Sequence, residues 1–499
     1  MMNTELSESS ARKVILLLCG FAAVHVFIFA AAFPFFNVVD EQAHIDLAVR
    51  YSRGDIPKTI TPPCAEARPF FLIYGTPEYI WPPSSQPNGQ YPPPPWKQSF
   101  TEAAPLIQAR ESAWKNSVNH EASQPPLYYV IAGAWWQLGK ALKFDGGFLL
   151  YWLRFFNIPV VIALVWIGWF TARKVFPEDS FVQLTVPALI AFMPQMVFYS
   201  INNDVFSPLT FGIAFFLSLK LKEMKDVPLR LAAFTGLALA ATFLTKISNL
   251  PLLVVSAIFI ALKIHQAVAA GKLKTIVWPM AVLFFCAVLP MMAWMVWCKI
   301  NFGDFTGSSS KLEMLGWTRK PFGEWWHHPI FTPAGFWTFL SGNLATLWQG
   351  EILWHGRPLT WPIFNFAYSA ISIALLGIAF AHLFRKISAG KNSSSQSLWL
   401  AFGCLGVALA FYGWLSIIYD FHDCFYPSRE HPYFTSGRLL LGALIPFTLL
   451  IAQGLALLLN RVSLRLKWFV LAGTIFSMLI CEVVTDWPVF SNPYNWFHM

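Results

Sequence analysis

Charge is scarce in this chain. Of 499 residues, 12% are charged, against about 25% in an ordinary soluble domain. Together with a hydrophobic share of 56%, that scarcity excludes a soluble globular protein and a disordered one. Cysteine is also sparse, at seven residues, with no CxxC pair and no zinc spacing. A disulfide framework and a structural zinc site are therefore excluded. Cys64 and Cys424 fall in predicted loops on one side of the membrane, and a disulfide between them stays open. Neither GxGxxG nor a P-loop occurs, so nothing marks a nucleotide site. The net charge of +9 comes without a basic cluster or basic helix, so nucleic acid is not an expected partner. No internal repeat is visible, and Asn392–Ser397 reads as a short polar linker.

Apolar runs near 20 residues long recur to the end of the chain, the length that crosses about 30 Å of hydrocarbon as a helix. They cover 14–36, 148–171, 181–200, 205–221, 229–245, 250–267, 276–298, 361–384, 398–419, 437–459 and 467–487. These runs predict an all-α polytopic membrane protein with about eleven transmembrane helices, forming a single domain over 1–499. The first run follows Arg12 and Lys13 and ends near Ala30-Ala31-Ala32. A cleaved signal peptide is one reading, but its apolar core is long for that, which favours a retained span with a cytoplasmic N-terminus.

Segment 126–143 is short, aromatic and lysine-ended, so it reads as a twelfth span or as a helix lying in the interface. Charge asymmetry chooses the second. With this segment flat, the inner face holds 17 basic and six acidic residues, and the outer face 18 basic and 20 acidic. Every short loop then obeys the positive-inside rule, and a twelfth crossing would reverse it. Two long segments, 37–147 and 299–360, fall on the outer face, which points to work done there. Residues 57–126 contain fifteen prolines, which predicts an extended, turn-rich strap. Tyr74, Tyr79, Trp81, Tyr91 and Trp96 suggest that the strap packs on something. The seven tryptophans from Trp317 to Trp361 read as an interfacial belt or a sugar-stacking surface.

Chemistry-bearing residues gather at predicted outer span ends. Asp40-Glu41-Gln42-Ala43-His44 follows the first span, and Asp40 and His44 lie one helical turn apart. Carboxylates there can accept a hydroxyl proton or hold a divalent cation, and they equally suit a helix N-terminus. Asn202-Asn203-Asp204 sits at a later outer turn, a role these residues also fill without chemistry. Lys246 ends the fifth span against the local charge bias, placed to snorkel or to bind a lipid phosphate. Segment 420–438 carries Arg429, His431 and, opening an apolar run, Arg438, a guanidinium suited to phosphate. His120 and Glu121 precede Gln124-Pro125-Pro126-Leu127-Tyr128-Tyr129 at the start of the interfacial helix.

The order of these features resembles the GT-C superfamily of multi-pass glycosyltransferases. It runs from Asp40-Glu41 through the Gln124–Tyr129 helix, Arg154, Pro194, Asn203-Asp204 and Gly236–Lys246 to Ser436-Gly437-Arg438. The chain is especially similar to a group of uncharacterised bacterial membrane proteins with a D-E-x-x-H motif after the first span. The resemblance implies a polyprenyl-phosphate-linked sugar as donor, a glycan, lipid or cell-envelope polymer as acceptor, and a location in the plasma (inner) membrane among its lipids. By the same resemblance Asp40 is the catalytic base supported by Glu41, and Asp204 positions a metal or the acceptor. Lys246, Arg438 and Arg429 are then candidates for the donor phosphate, and His44, His120, Tyr128 and His431 for the substrate lining. Asp40 and Asp204 are the candidates for a divalent cation, Mg2+ or Mn2+; no other cofactor is expected. A single displacement would invert the anomeric centre. Gln124 stands where several family members have histidine, and no large soluble C-terminal domain follows. A lipid-linked glycan polymerase or ligase, and a transporter or flippase, are the alternative readings.

Overall fold

The computed structural model describes residues 8–36, 40–115, 117–388 and 393–495. Each of the eleven apolar runs contains a helix. Among the described residues, nine helices are long and apolar enough to cross a membrane. The protein is an all-α polytopic membrane protein. Its first span is α1 (Glu8–Ala32). Four helices occupy the first long segment: α2 (Glu41–Tyr51), α3 (Arg68–Tyr74), α4 (Phe100–Lys115) and α5 (Leu127–Ala141). Helices α6 (Gly146–Arg154) and α7 (Asn157–Val175) form the second span, followed by α8 (Ser180–Ala191), α9 (Ser207–Glu223), α10 (Leu229–Thr245), α11 (Leu250–Ala269) and α12 (Leu273–Phe302). The second long segment holds α13 (Ser309–Met314) and α14 (Pro333–Gln349), and the chain ends with α15 (Pro362–Ser388), α16 (Ser393–Ile418), α17 (Leu444–Leu458) and α18 (Leu464–Phe490).

Two expectations need correction. The run 181–200 is not one helix. Helix α8 stops at Ala191, so its 12 residues rise only about 18 Å. Pro194 cannot supply the hydrogen bond that would extend it, and the chain continues as 3-10 turns over Met196–Tyr199 and Asn203–Phe206. Irregular backbone at such a depth is tolerated only when protein covers it, and Gln195, Ser200, Asn202, Asn203 and Asp204 are all buried. The polar stretch expected as a linker is the second correction: Ser393 already begins α16, while Asn392 lies outside the described residues.

The long segments gather at one end of the bundle. Strands of two residues each, Thr318–Arg319 and Tyr419–Asp420, pair antiparallel. The proline-rich strap packs on the same assembly, with Tyr74 stacked on Trp96, Trp96 edge-on to Tyr494, and Tyr79 edge-on to Trp354. At the opposite end Glu8 meets Arg173, and Lys174 meets Glu223. Helix α5 is not among the candidate spans; it lies against α2, where Gly133 faces the backbone of Ala48 and Ser52. Its Trp135 stacks on Trp152 with centroids 4.4 Å apart. Cys64 and Cys424 are both free thiols. Within the bundle, His25 of α1 bonds Glu482 of α18 at 2.8 Å, and Tyr199 donates to the same carboxylate. Glu482 and Asp486 are thus buried acids in the second half of the last span, Asp486 near its end.

Candidate functional site

Asp40 and Glu41 are neighbours with different surroundings. Glu41 is fully buried, and Arg154 grips it bidentately at 2.8 and 2.7 Å. The backbone N–H groups of Phe36 and Ile201 donate to the same two oxygens. Arg154 spends its remaining donors on the carbonyls of Ala30, Phe33 and Pro34. Both charges are therefore saturated, as burial requires. The pair pins the start of α2 to the second span.

Asp40 caps α2 in the left-handed region, at φ 57°, and its side chain makes no capping bond. Aspartate tolerates that conformation better than most residues. Its carboxylate is released to face Arg438, whose Nη2 donates to Oδ2 at 3.3 Å, and His120, whose Nε2 is 3.5 Å from Oδ1. Burial alone would raise the Asp40 carboxyl. The hydrogen bond to His120 and the charge of Arg438 outweigh it and hold the group well below the usual carboxylate range.

Asp204 reaches the same centre from the broken segment after α8. Asn202 accepts from its backbone N–H at 2.8 Å, so the polar-turn reading and the site reading are both satisfied. Lys246 donates to Oδ1 of Asp204, and Arg438 Nη1 donates to Oδ2 at 3.2 Å. Asn203 ties this turn to Gln124 at 3.2 Å.

Arg438 and a residue that sequence reasoning missed, Glu351, are each placed by a glycine. Gly437 lets the turn that follows it press on α14: a Cβ there would lie 2.0 Å from the backbone nitrogen of Leu347. Thr346 accepts from the Gly437 N–H at 2.7 Å. Gly350 ends α14 at φ 75°, and a Cβ would meet Gln195 and Met196 at 2.5 Å. Glu351 follows, accepts from Ser436 Oγ, and sits 3.8 Å from Arg438 Nε.

His120 lies between Asp40 and Glu121, 3.3 Å from the latter. Burial alone would lower its pKa, but its hydrogen bonds to both carboxylates raise it to about 9. Glu121 is also bonded by Lys311 and Gln124. Asp40, His120 and Glu121 each bring a ligand atom within 4.8 Å of the others and are the residues that could hold a divalent cation; Lys311 already competes for Glu121. At Asp204, the other sequence candidate, Lys246 and Arg438 take the positions an ion would need.

The remaining predicted residues make no direct bond to this centre, although His44 feels the charges of Glu121, Asp40, Lys246 and Asp204. His44 is buried, with Nδ1 2.7 Å from Tyr129 Oη, and burial lowers its pKa to about 4. Tyr128 is fully buried beside Tyr129 and Phe156. Arg429 is exposed and forms a bidentate pair with Asp420 at 2.9 Å for each bond, plus a bond to His422. His431 stands on the same exposed loop, its backbone bonded to Ser428. The structure therefore unites Asp40, Asp204, Lys246, Arg438 and His120, and adds Glu121, Lys311, Glu351 and Ser436. Gly350 before Glu351, at the end of an aromatic segment, was the available signal for Glu351.

Comparison with known proteins gives three findings. A search of curated proteins finds no match. Among solved structures, ArnT from Cupriavidus metallidurans bound to undecaprenyl phosphate is similar at a TM-score of 0.45 and 10% identity. The match covers 94% of this chain, and the chain spans 64% of that protein's length. The predicted membrane protein family DUF2142 matches residues 24–417. With most of its length matched, from within the first span to the end of α16, the chain belongs to the DUF2142 family of predicted membrane proteins.

Proposed function

We propose that the protein is a GT-C-like glycosyltransferase that moves a sugar from a polyprenyl-phosphate donor to a hydroxyl of a glycan, lipid or cell-envelope polymer. The observation that carries this reading is the convergence of Asp40, Asp204, Lys246 and Arg438, from four distant parts of the chain, at the end of the bundle that bears the long segments. An amphipathic donor holds its reactive carbon at the headgroup plane, where span ends lie. In the proposed step the acceptor oxygen attacks the anomeric carbon and gives its proton to Asp40. The bond from that carbon to the phosphate oxygen breaks, its electron pair stays on the phosphate, and the sugar is inverted. Lys246 and Arg438 lie where they would stabilise the developing charge. Asp40 is ionised and so can accept a proton, and a donor phosphate that draws Arg438 away from it would raise its basicity. The site faces the extracytoplasmic side in this reading, with the N-terminus in the cytoplasm, supported by the excess of basic residues at the opposite end.

The test is protein in nanodiscs with a panel of radiolabelled polyprenyl-phosphate sugars and an envelope extract, beside Asp40→Asn. Transfer by the wild type that is lost in the variant is the expected result. Transfer retained by the variant moves the base elsewhere. A long glycan instead of one added sugar would indicate a polymerase. A second reading, a transporter, is favoured by one observation, the buried His25–Glu482–Tyr199 group within the bundle. Ion-coupled flux in liposomes without sugar transfer would select it.

A further inference from the structure

Three carboxylates close on one guanidinium. Arg438 directs Nη2 to Asp40 at 3.3 Å, Nη1 to Asp204 at 3.2 Å and Nε towards Glu351 at 3.8 Å. The carboxylates at positions 40, 204 and 351 are hard donors of the kind a divalent cation takes, gathered around the guanidinium. The residues whose ligand atoms lie within 4.8 Å of one another are those of the neighbouring Asp40, His120 and Glu121 group. The centre of the three carboxylates is a side chain. It is held from behind: Gly437 is wedged against α14, and Ser436 bonds both Arg438 Nε and Glu351. The remaining valences are met in the same way. Lys246 takes the second oxygen of Asp204, and His120 faces the second oxygen of Asp40. Three carboxylates thus face three cationic groups, and the set balances from within the chain.

We propose that Arg438 is the built-in cation of this pocket, holding Asp40, Asp204 and Glu351 where a divalent ion would otherwise hold them, so that the pocket works without metal. A tethered guanidinium cannot be removed by a chelator. Its donors lie in one plane, so it also fixes the directions from which the three acids approach. The side chain is 18% exposed, so an anion can reach it and exchange for one of its carboxylates. The catalytic half of this proposal rests on the glycosyltransferase reading; the ion-binding half does not.

Mn2+ titration followed by electron paramagnetic resonance tests it on purified protein in nanodiscs. The wild type is expected to take up no Mn2+ in a manner that depends on Glu351. Arg438→Ala is expected to gain one Mn2+ site, and Arg438→Ala with Glu351→Gln to lose it. Ion bound instead by Asp40, His120 and Glu121 would be insensitive to Glu351→Gln and sensitive to His120→Ala, and so is told apart. If Arg438→Ala does not fold, Arg438→Gln, which is planar and uncharged, replaces it. In the transfer assay, the wild type should be unaffected by EDTA. Arg438→Ala should fall about a hundredfold and recover in part with Mn2+ or free guanidinium. A Glu351-dependent Mn2+ site in the wild type, wild-type transfer abolished by EDTA, or a folded Arg438→Ala protein that binds no Mn2+ would each overturn the proposal. If no donor supports transfer, the glycosyltransferase reading fails while the titration still decides the role of Arg438.

Discussion

Arg154 and Arg438 use the same functional group for opposite ends. Arg154 meets one carboxylate and three carbonyls, all buried, and nothing around it is left to react. Arg438 bonds Asp40 and Asp204, lies 3.8 Å from Glu351, and is 18% exposed. The difference lies in the partners. Carbonyls are neutral and cannot be exchanged for a ligand, so a guanidinium among them acts as a rivet. Carboxylates are charged and exchangeable, so a guanidinium among them acts as a hub whose contacts can be redrawn when an anion arrives.

Five substitutions and a pH series bear on that contrast. The largest effect is expected at the rivet. Glu41→Gln or Arg154→Ala leaves a buried charge without its partner and should lower stability by about 3–5 kcal/mol, read as loss of the monodisperse peak and of thermal midpoint in detergent. At the hub, Asp40→Asn should keep the fold yet slow transfer by about 10²–10⁴, measured as initial rate under saturating donor. Lys246→Met should cost about 10²–10³ in the same assay, because it removes charge beside Asp204 without removing the base. The pH series concerns His120. Its pKa in the folded protein is raised to about 9 from an ordinary value near 6.5, so the stability it contributes is full below about 6.5 and disappears as pH rises through about 9. The gap in thermal midpoint between wild type and His120→Gln should be present at pH 6 and closed by pH 10. The smallest effect is expected at Arg429, whose pair with Asp420 is exposed. Arg429→Ala should leave both the thermal midpoint and transfer unchanged; a large loss of transfer would bring that loop into the site.

The nine long helices were legible because hydrocarbon demands a length, and apolar runs of that length are visible one by one. The break after Ala191 was less so, since Phe192, Met193, Val197 and Phe198 are as apolar as the helix before them. Only Pro194 marked it. Asp40, Asp204, Lys246 and Arg438 stood out as charges at span ends. Glu121 and Lys311 did not pair in sequence, because 190 residues separate them. Glu351 stood in a tryptophan-rich stretch that read as a belt. The saturation of Glu41 was also hidden: a carboxylate next to a catalytic candidate looks the same in sequence whether it faces a pocket or an arginine 113 residues away.

The coil between Ala191 and Ser207 also bears on how the chain is made. Some of its polar groups find partners made earlier, in Glu41, Gln124 and Asn157, but others wait: Gln195 donates to the carbonyls of Thr346 and Leu347, and Asp204 is answered by Lys246 and Arg438. When the ribosome has delivered the first four spans, none of those later partners has been synthesised. Gln195 and Asp204 therefore cannot be satisfied during the insertion of their own neighbours, since lipid offers an amide and a carboxylate nothing in exchange. These two groups keep their water until α14 and the turn bearing Arg438 arrive, so the site closes among the last events of assembly.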